Sequence, residues 1–245
     1  MVRNLGALPL QTFRTMKHLL ALSLALLAPA CVLGPADCSG SVWVAGDGAG
    51  PRLEGSGVAG SQAKDVAEFR AVRLEGSFDV RATVGEARSV VVEGDDNLLE
   101  HVRARVEDGV FVLDFAPGRY RTHLPMKVAI TSPTLTAFEV EGAGDVELVG
   151  VRGERFGLSI RGAGDVTASG AVETLDVAIS GAGDANLLAL DSKRASVSIS
   201  GAGDVSLSVS ERLDVSVSGV GDVSYRGSPQ VAKGVSGAGS VRRID

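Results

Sequence analysis

One five-residue phrase recurs six times in the second half of the chain and restricts its fold more than any other feature. The first copy, Gly-Ala-Gly-Asp-Val, begins at Gly142, and further copies begin at Gly162, Gly181, Gly201, Gly219 and Gly237. Ala185, Val220 and Ser240 are the only departures from it. Successive copies start 20, 19, 20, 18 and 18 residues apart. A fixed period of this size is typical of a solenoid, in which each repeat buries its apolar side by stacking on its neighbours.

Apolar and polar residues alternate on both sides of each phrase, as in strands with one buried side. The predicted inward residues before the phrase are Thr136, Phe138, Val140, Phe156, Leu158, Ile160, Leu175, Val177, Ile179, Ala195, Val197, Ile199, Leu213, Val215, Val217, Val231, Lys233 and Val235. Those after it are Val146, Leu148, Val166, Ala168, Ala185, Leu187, Val205, Leu207, Val223 and Tyr225. Because no helical period occurs here, residues 132–245 are predicted to form a parallel β-helix with two or three strands per coil, within an all-β protein.

The glycines and aspartates of the phrase fit sharp corners between strands. Glycine suits a corner that needs a positive φ or a close backbone approach. The aspartates would stack with like charges about 5 Å apart, at a cost of roughly 0.8 kcal/mol per pair in water. Either each carboxylate accepts a hydrogen bond from a corner N–H group, or the row binds cations such as Ca²⁺. The residues concerned are Asp145, Asp165, Asp184, Asp204 and Asp222.

Serines dominate the outward positions of the later repeats. A rigid row of hydroxyl groups can contact the hydroxyl groups of a glycan, but serine is also a soluble way to finish an exposed strand. Both interpretations stay open for this candidate ligand face, which comprises Ser196, Ser198, Ser200, Ser216 and Ser218.

Residues 1–30 have the features of an export signal. Met16 and two basic residues precede an apolar run that ends in Ala-Pro-Ala, so Met16 is the more ordinary start of a signal peptide. Cys31 then resembles the lipidated cysteine of bacterial lipoproteins, although Ala28 replaces the usual Leu. The alternative is that Cys31 pairs with Cys38 in an oxidising compartment. Residues 31–61 are rich in Gly, Ser and Pro and are predicted to be a tether, in which Trp43 makes a local contact.

Residues 62–131 are predicted to form a β-rich lobe that caps one end of the solenoid. The expected strands lie in residues 72–84, 89–92, 102–106, 110–115 and 127–131. Asp108-Gly109 is a hairpin signal, and the Asp95-Asp96-Asn97 stretch is predicted to begin a short capped helical turn. At the far end, charged residues of the last coil are predicted to protect its open edge.

Few residues of the chain suggest catalysis. His101 and His123 have no second His or Cys at metal-ligand spacing, and no serine lies in a nucleophile elbow. The serious enzymatic alternative is a polysaccharide lyase or hydrolase, which needs clustered carboxylates rather than one per coil. Regular coils therefore favour a non-catalytic protein. The formal net charge of −6 argues against nucleic acid as a partner.

Residues 65–245 resemble the bacterial head GIN domain family of putative auto-transporter adhesins. The resemblance rests on residues 74–80 (LEGSFDV), 96–99 (DNLL), the serial Gly-Ala-Gly-Asp-Val phrases and residues 214–219 (DVSVSG). It implies a right-handed β-helix of the bacterial envelope, exported and often lipid-anchored, and it brings no catalytic residues. We therefore expect an outer-membrane lipoprotein that faces the periplasm or the cell surface and acts as an adhesin or structural module. Its expected partner is an envelope or extracellular glycan or protein.

Overall fold

The structure is a computed structural model that describes residues 43–45 and 50–245. Strands β1 to β9 span Trp43–Ala45, Arg52–Glu54, Ala59–Ala63, Ala71–Glu75, Asp79–Val84, Ser89–Asp95, Val102–Glu107, Val110–Phe115 and Arg119–Arg121. A 3₁₀ helix spans Asp96–His101. Strands β10 to β18 span Lys127–Ser132, Ala137–Val140, Val146–Ile160, Val166–Ile179, Ala185–Ile199, Val205–Val217, Val223–Arg226, Gln230–Val235 and Val241–Arg243. The predicted signal peptide, Cys31 and Cys38 lie outside the described residues.

The repeats form the predicted parallel β-helix. Strands β12 to β15 follow one another in a single sheet, each parallel to the next and offset by one repeat. The register shifts between Leu148 and Val151, where the long strand bends to start another side of the coil. Val151 is fully buried on this further side, and Leu190 and Val209 are buried in later coils. One coil therefore encloses a narrow apolar column between short strand segments.

The alternation of the sequence correctly predicts the core of the coils before the last one, in which the predicted inward residues Val231, Lys233 and Val235 are exposed because no further coil covers them in the described residues. Phe138, Leu158, Val177, Val197 and Val215 are all buried, and strand register places them directly above one another. Equivalent apolar residues thus stack into ladders along the solenoid axis.

The prediction for Thr136 is wrong. Thr136 is exposed, and its hydroxyl donates to the carbonyl oxygen of Arg70 at 3.0 Å. The neighbouring Leu135 is buried in its place. The alternation fails here because strand β11 begins only at Ala137, so Thr136 lies in the turn before it.

The first coil of the solenoid lies inside the segment predicted to be a separate lobe. Strand β4 pairs in parallel with β11, and β5 pairs in parallel with β12. The register aligns Leu74 with Val140 and Val80 with Val146. Gly76-Ser77-Phe78-Asp79-Val80 is therefore a seventh, altered copy of the repeated phrase. Its distance from the other copies concealed it in the sequence.

The rest of this segment caps the first coil. Strand β8 runs parallel to β4 on the side away from the repeats, and β7 pairs antiparallel with β8. Asp108 and Gly109 join these two strands with φ of 52° and 79°, which confirms the predicted hairpin. On the other side, β10 runs parallel to β5 and is followed by β6 and β3. The first coil is thus covered along both of its strands.

Residues 50–61, the end of the predicted tether, are folded. Strand β3 pairs antiparallel with β6, and β1 and β2 flank β9 in a small separate sheet. The Lys64 ammonium also fixes this segment, since it donates to the carbonyl oxygens of Leu99 and Val102, each at 2.9 Å. Burial lowers the pKa of Lys64.

Asp95 holds the same segment and does not cap the helical turn that follows it. Its carboxylate is fully buried and accepts hydrogen bonds from the backbone N–H groups of Gly57, His123 and Leu124 at 2.8, 2.9 and 3.0 Å. The Asp95 side chain makes no capping hydrogen bond to the 3₁₀ helix. Asn97 adds a second contact, since its Oδ1 accepts from the N–H of Ser56 at 2.9 Å. Asp95 therefore does not supply the predicted cap, because tertiary backbone donors bind its carboxylate. Asp96 supplies a cap contact instead, since its Oδ1 accepts the N–H of Asn97 at 2.7 Å.

Candidate functional site

The corner glycines are required because each coil lies directly on the previous one. A Cβ atom on Gly201 would lie 2.0 Å from the carbonyl oxygen of Gly181, and a Cβ atom on Gly142 would lie 1.6 Å from that of Gly76. Neither Gly142 nor Gly201 has a positive φ. Close stacking, rather than a left-handed conformation, therefore excludes a side chain here. Phe78 can replace a corner glycine in the first coil, where its ring stacks on Phe115 at a centroid distance of 5.0 Å.

The aspartates of the corners join the coils through hydrogen bonds to the backbone. The N–H of Asp184 donates to Asp165 Oδ1 at 3.0 Å, that of Asp204 to Asp184 Oδ1 at 2.7 Å, and that of Asp222 to Asp204 Oδ1 at 2.7 Å. Each carboxylate thus accepts the N–H of the aspartate one coil later. These contacts are the turn chemistry that the sequence offered as one of two interpretations.

Both ends of the row have the same type of contact. At the start, the N–H of Asp145 donates to Asp79 Oδ1 at 3.3 Å. At the end, both the N–H and the hydroxyl of Ser240 donate to Asp222 Oδ1, at 2.7 and 2.9 Å. These hydrogen bonds hold the pKa of Asp222 below its usual range. Ser240 therefore continues the backbone contact and ends the row of charges.

The row is interrupted once, at Asp145. Among the described residues, the Asp145 carboxylate has no hydrogen bond or ion pair, although its N–H does. The Glu93 carboxylate and the Lys127 ammonium, on neighbouring strands, likewise have no hydrogen bond or ion pair with the described residues. These three side chains line an open groove of about 580 Å³ together with Asp165 and Thr167. The interruption thus leaves free carboxylate and ammonium groups in one concave surface.

The serine face is flat and has shallow depressions. Ser196, Ser198 and Ser216 are exposed as predicted, and strand register stacks Ser198 on Ser216. Two grooves of about 410 and 330 Å³ meet on this face, and both are lined by Ser196 and Ser198. Ser200 and Ser218 differ, because each hydroxyl donates back to a carbonyl oxygen of the previous coil at 3.4 Å. Only part of the predicted face therefore offers free hydroxyl groups.

Ion pairs occupy the part of the same sheet nearest the first coil. Arg73 and Arg161 both bind Glu139, which raises the pKa of Arg73 chiefly through its hydrogen bond to that carboxylate. Nearby, Asp114 is buried and pairs with Arg103 and Arg105. These ion pairs neutralise charge near the first coil, and the serine-rich part of the face is the more open surface.

Where the pKa of a carboxyl group is shifted, it is lowered, which is the opposite of what a general acid needs. Hydrogen bonds from Lys193 and Arg212 lower the pKa of Glu173 and Asp214 respectively. A general acid at neutral pH needs a raised value. His123 Nε2 lies 3.2 Å from Glu54 Oε1, and the ring of His101 packs on Tyr120 at 5.6 Å. In residues 43–45 and 50–245, no three His, Cys, Asp or Glu side chains converge as metal ligands would.

The described part of the chain has no helix long and apolar enough to span a membrane. No curated protein matches the chain. A crystal structure of a putative adhesin from Bacteroides fragilis is similar, with 23% identity, a TM-score of 0.66 and coverage of 78% of this chain and all of the other. A putative adhesin from Parabacteroides merdae has 17% identity, a TM-score of 0.49 and coverage of 79% and 99%.

A putative lipid binding protein from Parabacteroides distasonis has 18% identity, the same TM-score and coverage of 79% and 100%. These relatives are described as adhesins or lipid-binding proteins and not as enzymes. The likeness to the Bacteroides structure establishes the shared fold. A family model described as putative auto-transporter adhesin, head GIN domain, matches residues 68–229. With the solenoid, its capping strands and its repeated corners as observed, the chain belongs to the head GIN domain family of putative auto-transporter adhesins.

Proposed function

We propose that this protein is a non-catalytic recognition module of the bacterial envelope, which binds an envelope or extracellular glycan through the groove at Asp145. The interruption of the aspartate row is the observation that supports this proposal. Other aspartates of the row join coils, whereas Asp145 lines the groove of about 580 Å³ beside the side chains of Glu93 and Lys127. Free carboxylate and ammonium groups in a rigid groove suit a ligand rich in hydroxyl groups or in charged substituents.

The rigidity of the groove favours binding over chemistry. Its floor is formed by strands β10, β5, β12 and β13, which pair continuously. A preformed surface loses little conformational entropy when a ligand binds. Hydrolysis of a sugar would need one carboxyl group held protonated and a second beside it. Asp79 and Asp165, the neighbours of Asp145 along the row, each accept a backbone N–H hydrogen bond instead.

Attachment to the membrane belongs to the same proposal. A signal peptide ending at Ala30 and a diacylated Cys31 would place the head outside the cytoplasm on the short segment before β2. The mass of the N-terminal peptide from membrane-extracted protein tests this step directly. A peptide that begins at Cys31 with added acyl mass supports the anchor, and an unmodified Cys31 or a disulfide with Cys38 contradicts it.

The binding proposal is tested on an array of envelope polysaccharides and host glycans, with simultaneous detection of released shorter sugars. Asp145→Lys, placed in the groove, is expected to abolish binding, whereas Ser206→Lys on the same outer side, two coils beyond Asp165, is the matched control. A double Ser198→Lys and Ser216→Lys variant tests the serine face as the alternative contact. Binding lost only in that variant would reassign the site, and release of shorter sugars would contradict the non-catalytic proposal.

A further inference from the structure

The last coil differs from the others at two register positions. The buried column formed by Val72, Phe138, Leu158, Val177, Val197 and Val215 ends in Lys233, which pairs with Val215. The aspartate row ends in the same coil with Ser240. The last coil therefore has a charged residue in the apolar column and an uncharged residue in the aspartate row.

This coil is also the uncovered end of the solenoid in the part of the chain that the structure describes. Strand β17 pairs only with β15 and strand β18 only with β16, so each keeps one open edge. Val231 and Val235 of β17 are 38% and 41% exposed, whereas the residues beneath them, Leu213 and Val217, are buried. Open strand edges beside exposed apolar side chains favour pairing with another chain.

A second copy of this chain is the most available partner for such an end. The first coil of every copy is paired with β8 and β10, so its own strands offer no free edge to a last coil. Two last coils can meet around a two-fold axis, which produces a closed pair. In the alignment that keeps both cores continuous and places Val231 opposite Val235, Lys233 of each copy lies opposite its counterpart.

We infer that Lys233 keeps the protein monomeric by blocking end-to-end pairing of its last coil. The aliphatic stem of a lysine can cover apolar surface while its ammonium stays in water. Pairing would desolvate two ammonium groups facing each other, which is unfavourable without a carboxylate between them. Ser240 contributes by turning its hydroxyl back to Asp222, so that the corner presents no further carboxylate to a paired copy. This inference does not depend on the proposed glycan binding.

The test compares the purified protein with Lys233→Met, Lys233→Arg and Lys193→Met over a range of concentrations by sedimentation equilibrium. Methionine keeps the length of the side chain and removes its charge, arginine keeps the charge, and Lys193 is an exposed lysine paired with Glu173 away from the end. The expected result is a monomer for the wild type, Lys233→Arg and Lys193→Met. Lys233→Met is expected to approach a mass about twofold higher, the value for a closed pair.

Far-UV circular dichroism confirms that each variant is folded, so that aggregation of unfolded chains is not mistaken for pairing. A monomeric Lys233→Met at every concentration would overturn the inference. Pairing of the wild type through this coil, or equal association of Lys193→Met, would overturn it as well.

Discussion

Replacing Gly201 by alanine tests whether close stacking of corners determines the repeat. A Cβ atom at this position would lie 2.0 Å from the Gly181 carbonyl oxygen and 2.7 Å from two backbone atoms of Ser180. Real Cβ contacts are essentially never shorter than 3.0 Å. The two coils must therefore separate by about 1 Å at this corner, since neither contact involves a flexible side chain.

Separation of the two coils lowers the free energy of unfolding by an amount that follows from the hydrogen bonds it disturbs. The N–H of Ala202 donates to the Gly181 carbonyl oxygen at 2.9 Å, and the N–H of Ser200 donates to that of Ile179 at 2.8 Å. A further 1 Å would break the first and weaken the second, at about 1 kcal/mol each. Overpacking adds about 1–3 kcal/mol. We expect a total loss of about 3–5 kcal/mol, which lowers Tm by roughly 10 °C for a folded unit of this size.

Gly157→Ala is the matched control, because its Cβ atom would lie 3.8 Å from the nearest atom, the Cβ of Ala137. Alanine there is expected to leave Tm unchanged or to raise it slightly by restricting the unfolded chain. Thermal and urea unfolding followed by circular dichroism measure both variants. Equal stability of Gly201→Ala and the wild type would refute the stacking argument, and so would equal destabilisation by Gly157→Ala.

Three further predictions concern carboxylates with defined partners. Asp184→Ala removes the acceptor of the Asp204 N–H and is expected to lower the free energy of unfolding in urea by about 1 kcal/mol. Asp184→Asn keeps an acceptor oxygen and should cost less. The reverse order would contradict the proposed hydrogen bond. Asp95→Ala leaves three backbone N–H groups without their acceptor and is expected to lower the free energy of unfolding by about 3 kcal/mol or more. Residues 50–63 should then be cleaved faster by a protease. An unchanged cleavage rate would contradict this role of Asp95. Because Ser240 lowers the pKa of Asp222, that carboxylate stabilises the fold above the ordinary Asp pKa of about 3.9, and the contribution is lost as pH falls through the lower folded value. Ser240→Ala should raise the Asp222 pKa in a carboxyl-carbon NMR titration, and an unchanged midpoint would count against this pairing.

The solenoid itself could be predicted because its physical requirement repeats in the sequence. A buried column needs an apolar residue at the same place in each coil, and a stacked corner needs glycine, so period and alternation appear together. The first coil was missed because Phe78 replaces a corner glycine and residues 85–136 separate it from the next coil. Strand register revealed the alignment of Asp79 with Asp145, which the spacing of the phrases did not.

The candidate groove could not be predicted, because it depends on contacts between distant segments. Glu93, Lys127 and Asp145 come together only when β6 and β10 pair beside β5. The buried role of Asp95 is likewise tertiary, since a carboxylate before a short helix fits a cap equally well in sequence. The exposed serines were placed correctly by alternation, but the sequence could not distinguish free hydroxyl groups from those bonded to the previous coil.

We expect the aspartate row to join coils and not to bind cations. Thermal unfolding of the purified protein with chelator and with millimolar Ca²⁺ tests this expectation, alongside Asp184→Asn. We expect the same Tm in both conditions, because the carboxylates already accept backbone hydrogen bonds. A rise of several degrees with Ca²⁺ that disappears in Asp184→Asn would contradict this expectation and identify the row as a cation site.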